Sequence, residues 1–214
     1  MSLGFSQSDS ELLESILMSR RDVRGNRFTA QAVSEETIER LLDAALYAPS
    51  VGFSQPWQFV VIRDDAIKKK VHASFQTANQ SAQSLFSDEK QKQYQSLKLE
   101  GILEAPVNLA IFYKPSDKPV LGQTSMSDMG RFSVVCAIQN LWLMARSLNV
   151  GVGWVSIVES QQVKQAVNAP EDLELIGYLC IGYVDEFLDK PELEIKGWEK
   201  KKARQDIVSF EQFE

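Results

Sequence analysis

Arg20, Arg21, Arg24 and Arg27 place four guanidinium groups within eight residues of a 214-residue chain whose formal net charge is −6. A forked, permanently charged donor matches phosphate oxygens, so the run reads either as an anion site or as a solvated basic turn paired with nearby glutamates. Asp22 sits inside it. A carboxylate there opposes a bound phosphate, so it either orients an arginine or faces the reactive part of a ligand. The stretch Ser50-Val51-Gly52-Phe53-Ser54-Gln55-Pro56-Trp57 offers a glycine, two hydroxyls and an amide. Such a loop can approach a flat polar ligand closely, or can be no more than a tight connection. Gly151-Val152-Gly153-Trp154-Val155-Ser156 combines two glycines, an indole and a hydroxyl in an apolar run. A buried Ser156 would need a hydrogen-bond partner, either a neighbouring carbonyl or a ligand.

Other chemistries find little support. His72 is the sole histidine; it neighbours Lys68, Lys69 and Lys70 on an expected exposed helix, without a nucleophile to activate. One histidine and two separated cysteines leave no tight zinc or iron set, and no glycine-rich phosphate loop is present, so no metal is expected. Cys136 and Cys180 lie in apolar runs and read as small buried hydrophobes in a reducing compartment. The acidic balance opposes nucleic acid. Residues 1–6 lack a basic-then-apolar leader, and no window reaches the roughly 18 apolar residues of a membrane span. The expectation is a cytoplasmic protein, with neither nucleic acid nor membrane as a partner.

The positioning elements follow from periodicity. Residues 9–18 read as an amphipathic helix with Leu12, Leu13, Ile16 and Leu17 on one face and Asp9 as N-cap. Residues 34–47 read as a helix capped by Ser34, with Val33 and Ile38 as a hydrophobic staple, stopped by Pro49. Residues 57–63 and 106–113 read as buried strands. Between them, residues 76–95 hold six Gln and two Lys with few large apolar side chains, which suggests a mobile excursion. Residues 115–127 form a polar loop. Residues 130–148 read as a helix buried nearly all round. Two further strands, 152–158 and 175–184, flank a helix beginning near Ser160. Residues 191–214 are charged without apolar period, and either wrap a partner or trail. The sum is one α+β domain, 1–214, with a lid near 76–95 and a C-terminal extension at 191–214.

Taken in order, the three chemical stretches resemble the nitroreductase-like flavoproteins, over about residues 19–182. General members carry Asn before Gln-Pro-Trp and Ser or Thr after the paired arginines, where this chain has Ser54 and Asp22. Arg20-Arg21-Asp22-Val23-Arg24, Ala48 to Trp57, Leu99-Glu100-Gly101-Ile102 with Glu104-Ala105-Pro106, and Ala137-Ile138-Gln139-Asn140-Leu141-Trp142 through Ser156 are similar to the dimethylbenzimidazole synthase branch.

That resemblance implies a central mixed β-sheet flanked by helices, in an intertwined homodimer with FMN at the subunit interface. It implies an oxygen-dependent conversion of reduced FMN to 5,6-dimethylbenzimidazole, the lower ligand of vitamin B12, with release of erythrose 4-phosphate. NAD(P)H would be an indirect electron source, through a separate flavin reductase. Arg20, Arg21 and Arg24 would hold the phosphate and ribityl end, with Arg204 as a further phosphate contact. Ser50, Gly52, Ser54, Gln55 and Pro56 would meet the flavin, with Val23, Leu99 and Val155 completing the pocket. Asp22 and Ser156 would be catalytic, the first relaying protons and the second bonding near flavin N5. The 76–95 lid would screen the reduced flavin from water while it reacts. An NAD(P)H-dependent nitroreductase or flavin reductase, and a non-catalytic FMN-binding protein, are the alternatives.

Overall fold

The computed structural model describes residues 4–213; Met1–Leu3 and Glu214, the two ends of the expected domain, lie outside the described residues. Four strands form one sheet: β1 (Trp57–Ile62), β2 (Val107–Tyr113), β3 (Val150–Val155) and β4 (Glu174–Tyr183), in the spatial order β1-β2-β4-β3. Every pairing within it is antiparallel. The expected mixed sheet is thereby corrected: among the described residues the parallel element is a single bridge, Asp22 beside Val152.

Both faces of the sheet are covered, and alternation along β2 shows how. Val107, Leu109, Ile111 and Tyr113 join one core cluster, while Ala110 and Phe112 join the other. The period of two along a strand sends alternate side chains to opposite faces. With helices on each side, all seven β2 positions are buried. On the first face, α5 (Met129–Ser147) lies between the sheet and α2 (Glu35–Leu46). On the second, α3 (Asp65–Gln83) packs with α6 (Ser160–Ala166). Leu141 is fully buried at the centre of the first face, so truncation to alanine would cost about 2–5 kcal/mol.

The helices begin where local chemistry directs. Ser34 caps α2 by accepting from the Thr37 N–H, with Val33 and Ile38 both buried as the staple requires. In α1 (Gln7–Ser19) the cap is Ser6; Asp9, expected as the cap, occupies the third helical position and closes a capping box on Ser6. The polar stretch 76–95 is largely helical, as the end of α3 and all of α4 (Asp88–Gln95). Buried Lys68 corrects the exposed-helix reading near His72: its ammonium donates to the Ala105 carbonyl at 2.9 Å.

Three burial expectations fail for one reason. Helix α5 is not buried all round, because Phe132, Val135 and Cys136 lie exposed along one side. The apolar face of α1 is likewise open, with Leu12, Leu13 and Leu17 exposed. Cys180 is buried as expected, but Cys136 is not. An apolar pattern marks a surface that leaves water, and one chain does not have enough surface to cover all of these.

Candidate functional site

The arginine turn is fixed from two sides. Its backbone runs beside β3, where the Val23 N–H donates to the Val152 carbonyl at 3.0 Å. Gly153 makes this approach possible, since any Cβ there would collide with the Val23 carbonyl. From the other side α5 holds it: the Trp142 indole donates to the Arg21 carbonyl at 3.2 Å, and Arg146 donates to the Ser19 carbonyl at 3.1 Å. Arg20 stacks over the Trp142 ring at 4.9 Å.

Within the turn the arginines separate by role. Arg21 is committed to backbone carbonyls, donating to Met18, Arg20, Leu188 and Asp189, so it anchors the turn rather than presenting its fork to a phosphate. Arg27 pairs with Glu186, so it is a structural member of the cluster. Arg24 donates to the carbonyls of Leu99 and Trp154 at 3.2 and 3.3 Å and pairs with Asp22. Asp22 therefore orients an arginine, and its Oδ1 also accepts from the Trp154 N–H at 2.9 Å. Burial pushes the Asp22 carboxyl above its ordinary pKa, against the Arg24 charge, the Trp154 N–H and Arg20, while Glu192 adds to the rise.

A cleft of about 130 Å³, open to solvent, is bounded by Arg20, Asp22, Arg24, Lys98 and Glu192. Val155 is buried at the end of β3. Ser156, one residue further, is exposed, which corrects its expected burial; the strand has ended and no second layer covers it.

The second stretch is held by backbone. A 3-10 turn at Val51–Phe53 is secured by the Val51 N–H donating to Ser133 on α5 at 3.0 Å, and by the Gln55 N–H donating to Ser50 Oγ at 3.0 Å. Gly52, Phe53 and Gln55 all have positive φ, at 55°, 52° and 46°. Such backbone is costly for the two non-glycine residues and clusters at functional sites. Pro56 lends its carbonyl to the Lys114 N–H at 2.8 Å. Ser54 Oγ is buried with no hydrogen-bond partner.

The profile of the nitroreductase family matches residues 17–183, most of the chain. The chain belongs to the nitroreductase family. A 5,6-dimethylbenzimidazole synthase of Rhodospirillum rubrum is 42% identical over 200 residues, covering 92% of this chain and 94% of that protein. Another, from Rhodobacter capsulatus, is 36% identical over 92% of this chain and 96% of its own length. Among solved structures, an iodotyrosine deiodinase bound to FMN and 3-iodo-L-tyrosine superposes with TM-score 0.74 at 23% identity, covering 94% of this chain and all of that one. A BluB-like flavoprotein from Clostridium difficile 630 gives TM-score 0.71 at 22% identity, covering 98% and 100%. These structures share the nitroreductase fold.

Within one chain of this nitroreductase the two stretches do not meet. The arginine turn flanks β3 and the 50–56 segment precedes β1, and these are opposite edges of the sheet, about 14 Å apart at ordinary strand spacing. Arg204 is exposed in a 3-10 turn of the C-terminal segment and does not line the cleft. Sequence reasoning missed Lys98 and Glu192. Lys98 adjoins the recognised Leu99-Glu100 motif and could have been found by extending it; Glu192 carries no local signal, because a long-range fold-back brings it to Asp22.

Proposed function

We propose that this protein performs the 5,6-dimethylbenzimidazole synthase reaction in the cytoplasm, as a homodimer binding one FMN between each arginine turn and the partner's 50–56 segment. The observation that carries the reading is Asp22: a carboxyl in the cleft lining, raised in pKa by burial, with Oδ1 fixed by the Trp154 N–H and Oδ2 paired with Arg24. The residues suit FMN. Arg20 and Arg24 offer cationic donors for its phosphate and ribityl end, and the orphaned Ser54 hydroxyl is a polar atom awaiting a ligand partner. When bound in its reduced form, FMN supplies both the ring that is rebuilt and the electrons delivered to oxygen, with erythrose 4-phosphate as the other fragment.

The chain's own part is to bind, orient and move a proton. A phosphate that engages Arg24 draws it from Asp22 Oδ2 and leaves that oxygen able to give or take a proton, while Oδ1 stays fixed by the Trp154 N–H. Loss of the Arg24 charge from Asp22 removes a contribution that lowers the carboxyl pKa and so raises it further. Exposure of Ser156 beside the end of β3 supports a hydroxyl that bonds near the flavin ring. Helix α4 and the end of α3 act as the lid. NAD(P)H supplies the electrons through a separate flavin reductase.

Dimerisation joins the half-sites and covers the open faces of α1 and α5, with residues 199–213, exposed in the single chain, wrapping the partner. Light scattering at micromolar concentration should return twice the chain mass, and a monomer would contradict this assembly. The deciding test mixes the protein anaerobically with reduced FMN, admits oxygen, and analyses the products by chromatography and mass spectrometry. 5,6-Dimethylbenzimidazole is the expected product; full recovery of intact FMN would overturn the synthase reading in favour of a reductase or a binding protein.

A further inference from the structure

Trp198, in the C-terminal segment, takes no part in the site described above, and the structure sets it in an aromatic cluster. Residues 191–199 fold back across the molecule as a strap containing α7 (Glu192–Ile195). Trp198 meets Phe86 edge-on at a ring separation of 5.3 Å and lies 6.1 Å from Tyr94, which itself stacks on Phe86 at 5.2 Å. Lys90 on α4 stands over the Trp198 ring at 4.0 Å and donates to the Trp198 carbonyl at 2.8 Å. Gln93, one helical turn on, donates to the Lys196 carbonyl at 2.9 Å. The strap is shaped for this contact: Gly197 takes φ 69°, and the Trp198 N–H returns to the Leu193 carbonyl at 2.8 Å to close α7.

Both partners of this contact lead into the same cleft. Leu97 and Lys98, which follow α4, form part of its lining; Pro191, Glu192 and Leu193, at the start of the strap, form another part. An aromatic cluster joined by a cation and two hydrogen bonds to backbone ties segments about a hundred residues apart in sequence. The strap is held at its start by Arg21, which donates to the Leu188 and Asp189 carbonyls, and at its far end by the Trp198 cluster, beyond which residues 199–213 are exposed; a displacement of α4 is therefore passed along the strap to the cleft.

We propose that Trp198 is a positioning residue of the cleft, fastening the strap to α4 so that Leu97–Lys98 and Pro191–Leu193 close over the ligand as one body. The inference rests on the reading of this cleft as the flavin site. It goes beyond that reading in assigning closure to a clamp between α4 and the C-terminal strap.

The test compares full-length wild type, Trp198→Ala and Trp198→Phe by hydrogen–deuterium exchange, with and without FMN, alongside FMN titration by flavin fluorescence and thermal unfolding. In ligand-free Trp198→Ala, amides of 191–198 and of 88–95 should both exchange at least about tenfold faster, while β2 and α5 keep their protection. Its FMN affinity should fall about tenfold, and FMN should no longer slow exchange in either segment. Trp198→Phe should recover most of both effects. Faster exchange of the strap alone, with α4 and FMN affinity unchanged, would overturn the proposal and leave Trp198 as a tail anchor. If wild type fails to bind FMN, the flavin reading falls, whereas paired loosening in the ligand-free variant still decides whether the clamp exists.

Discussion

The arginine turn and the 50–56 segment, proposed above as the two halves of one site, are built in two ways. The turn is defined by side chains: Asp22, Trp142 and Arg146 tie it to β3 and α5, and its charges are largely balanced within the chain. The 50–56 segment is defined by backbone, with positive φ at Gly52, Phe53 and Gln55, no charge, and one buried hydroxyl left without a partner. The first is complete without ligand, and the second holds strain and an unmet hydrogen bond in reserve. A charged cluster must satisfy itself to fold, whereas a polar backbone loop can be held rigid by the elements around it and wait.

Four substitutions or conditions sharpen that contrast. The largest effect belongs to Asp22→Asn, which keeps size and polarity but not the proton. It should lower 5,6-dimethylbenzimidazole formed per flavin oxidised by about 100-fold or more while FMN affinity changes only a few-fold. Full product yield would end the proton-relay role. Next, Gly153→Ala forces the 22–24 backbone away from β3, at a stability cost on the order of 1–3 kcal/mol, read by denaturant titration, and with weakened FMN binding. An unchanged midpoint and affinity would mean that the turn tolerates displacement.

Ser54→Ala should behave in the opposite sense. Removing an unpartnered buried hydroxyl leaves the ligand-free fold unchanged or more stable by about 1 kcal/mol, yet weakens FMN binding about tenfold. A loss of stability instead would show that the hydroxyl has a structural partner and that the two half-sites are built alike.

The smallest effect is in pH. Because burial raises the Asp22 pKa, the folded chain holds this proton more tightly than the unfolded chain does. The stabilisation from it is complete below the unfolded value, about 3.9, and is lost as pH rises through the raised folded value. The thermal stability of wild type relative to Asp22→Asn should therefore decline on going from about pH 4 towards neutrality. A difference that grows with pH would mean that the Arg24 pairing outweighs burial.

Elements and site were legible to different depths. The Ser34 cap with its Val33 and Ile38 staple, the buried β2 run and the α5 period are local patterns, and they appear where periodicity and capping chemistry put them. The motif residues were also legible: Asp22, Arg24, Ser50 and Ser54 were all named from type and order. Their grouping was not. Arg21 has the same side chain as Arg20, which stacks on Trp142 and lines the cleft, but Leu188 and Asp189, more than 160 positions away, claim the Arg21 guanidinium. Ser156 follows an apolar run that promised burial, yet β3 ends at Val155 and leaves the hydroxyl exposed.

By itself, then, the sequence determined the helices, the strands and the chemical types at the site, because caps, periods and motifs act over a few residues and need no distant partner. It determined the family in the same way, through short motifs in a fixed order. The tertiary structure decided the antiparallel pairing of the four strands and which arginine stays open to a ligand. It also decided that Glu192 returns from the C-terminal segment to the cleft and Trp198 to α4, and that the arginine turn and the 50–56 segment lie at opposite sheet edges. Each of these depends on contacts between residues distant in the chain, where the same side chain can serve as an anchor or as a ligand contact according to which carbonyls and charges the fold brings beside it.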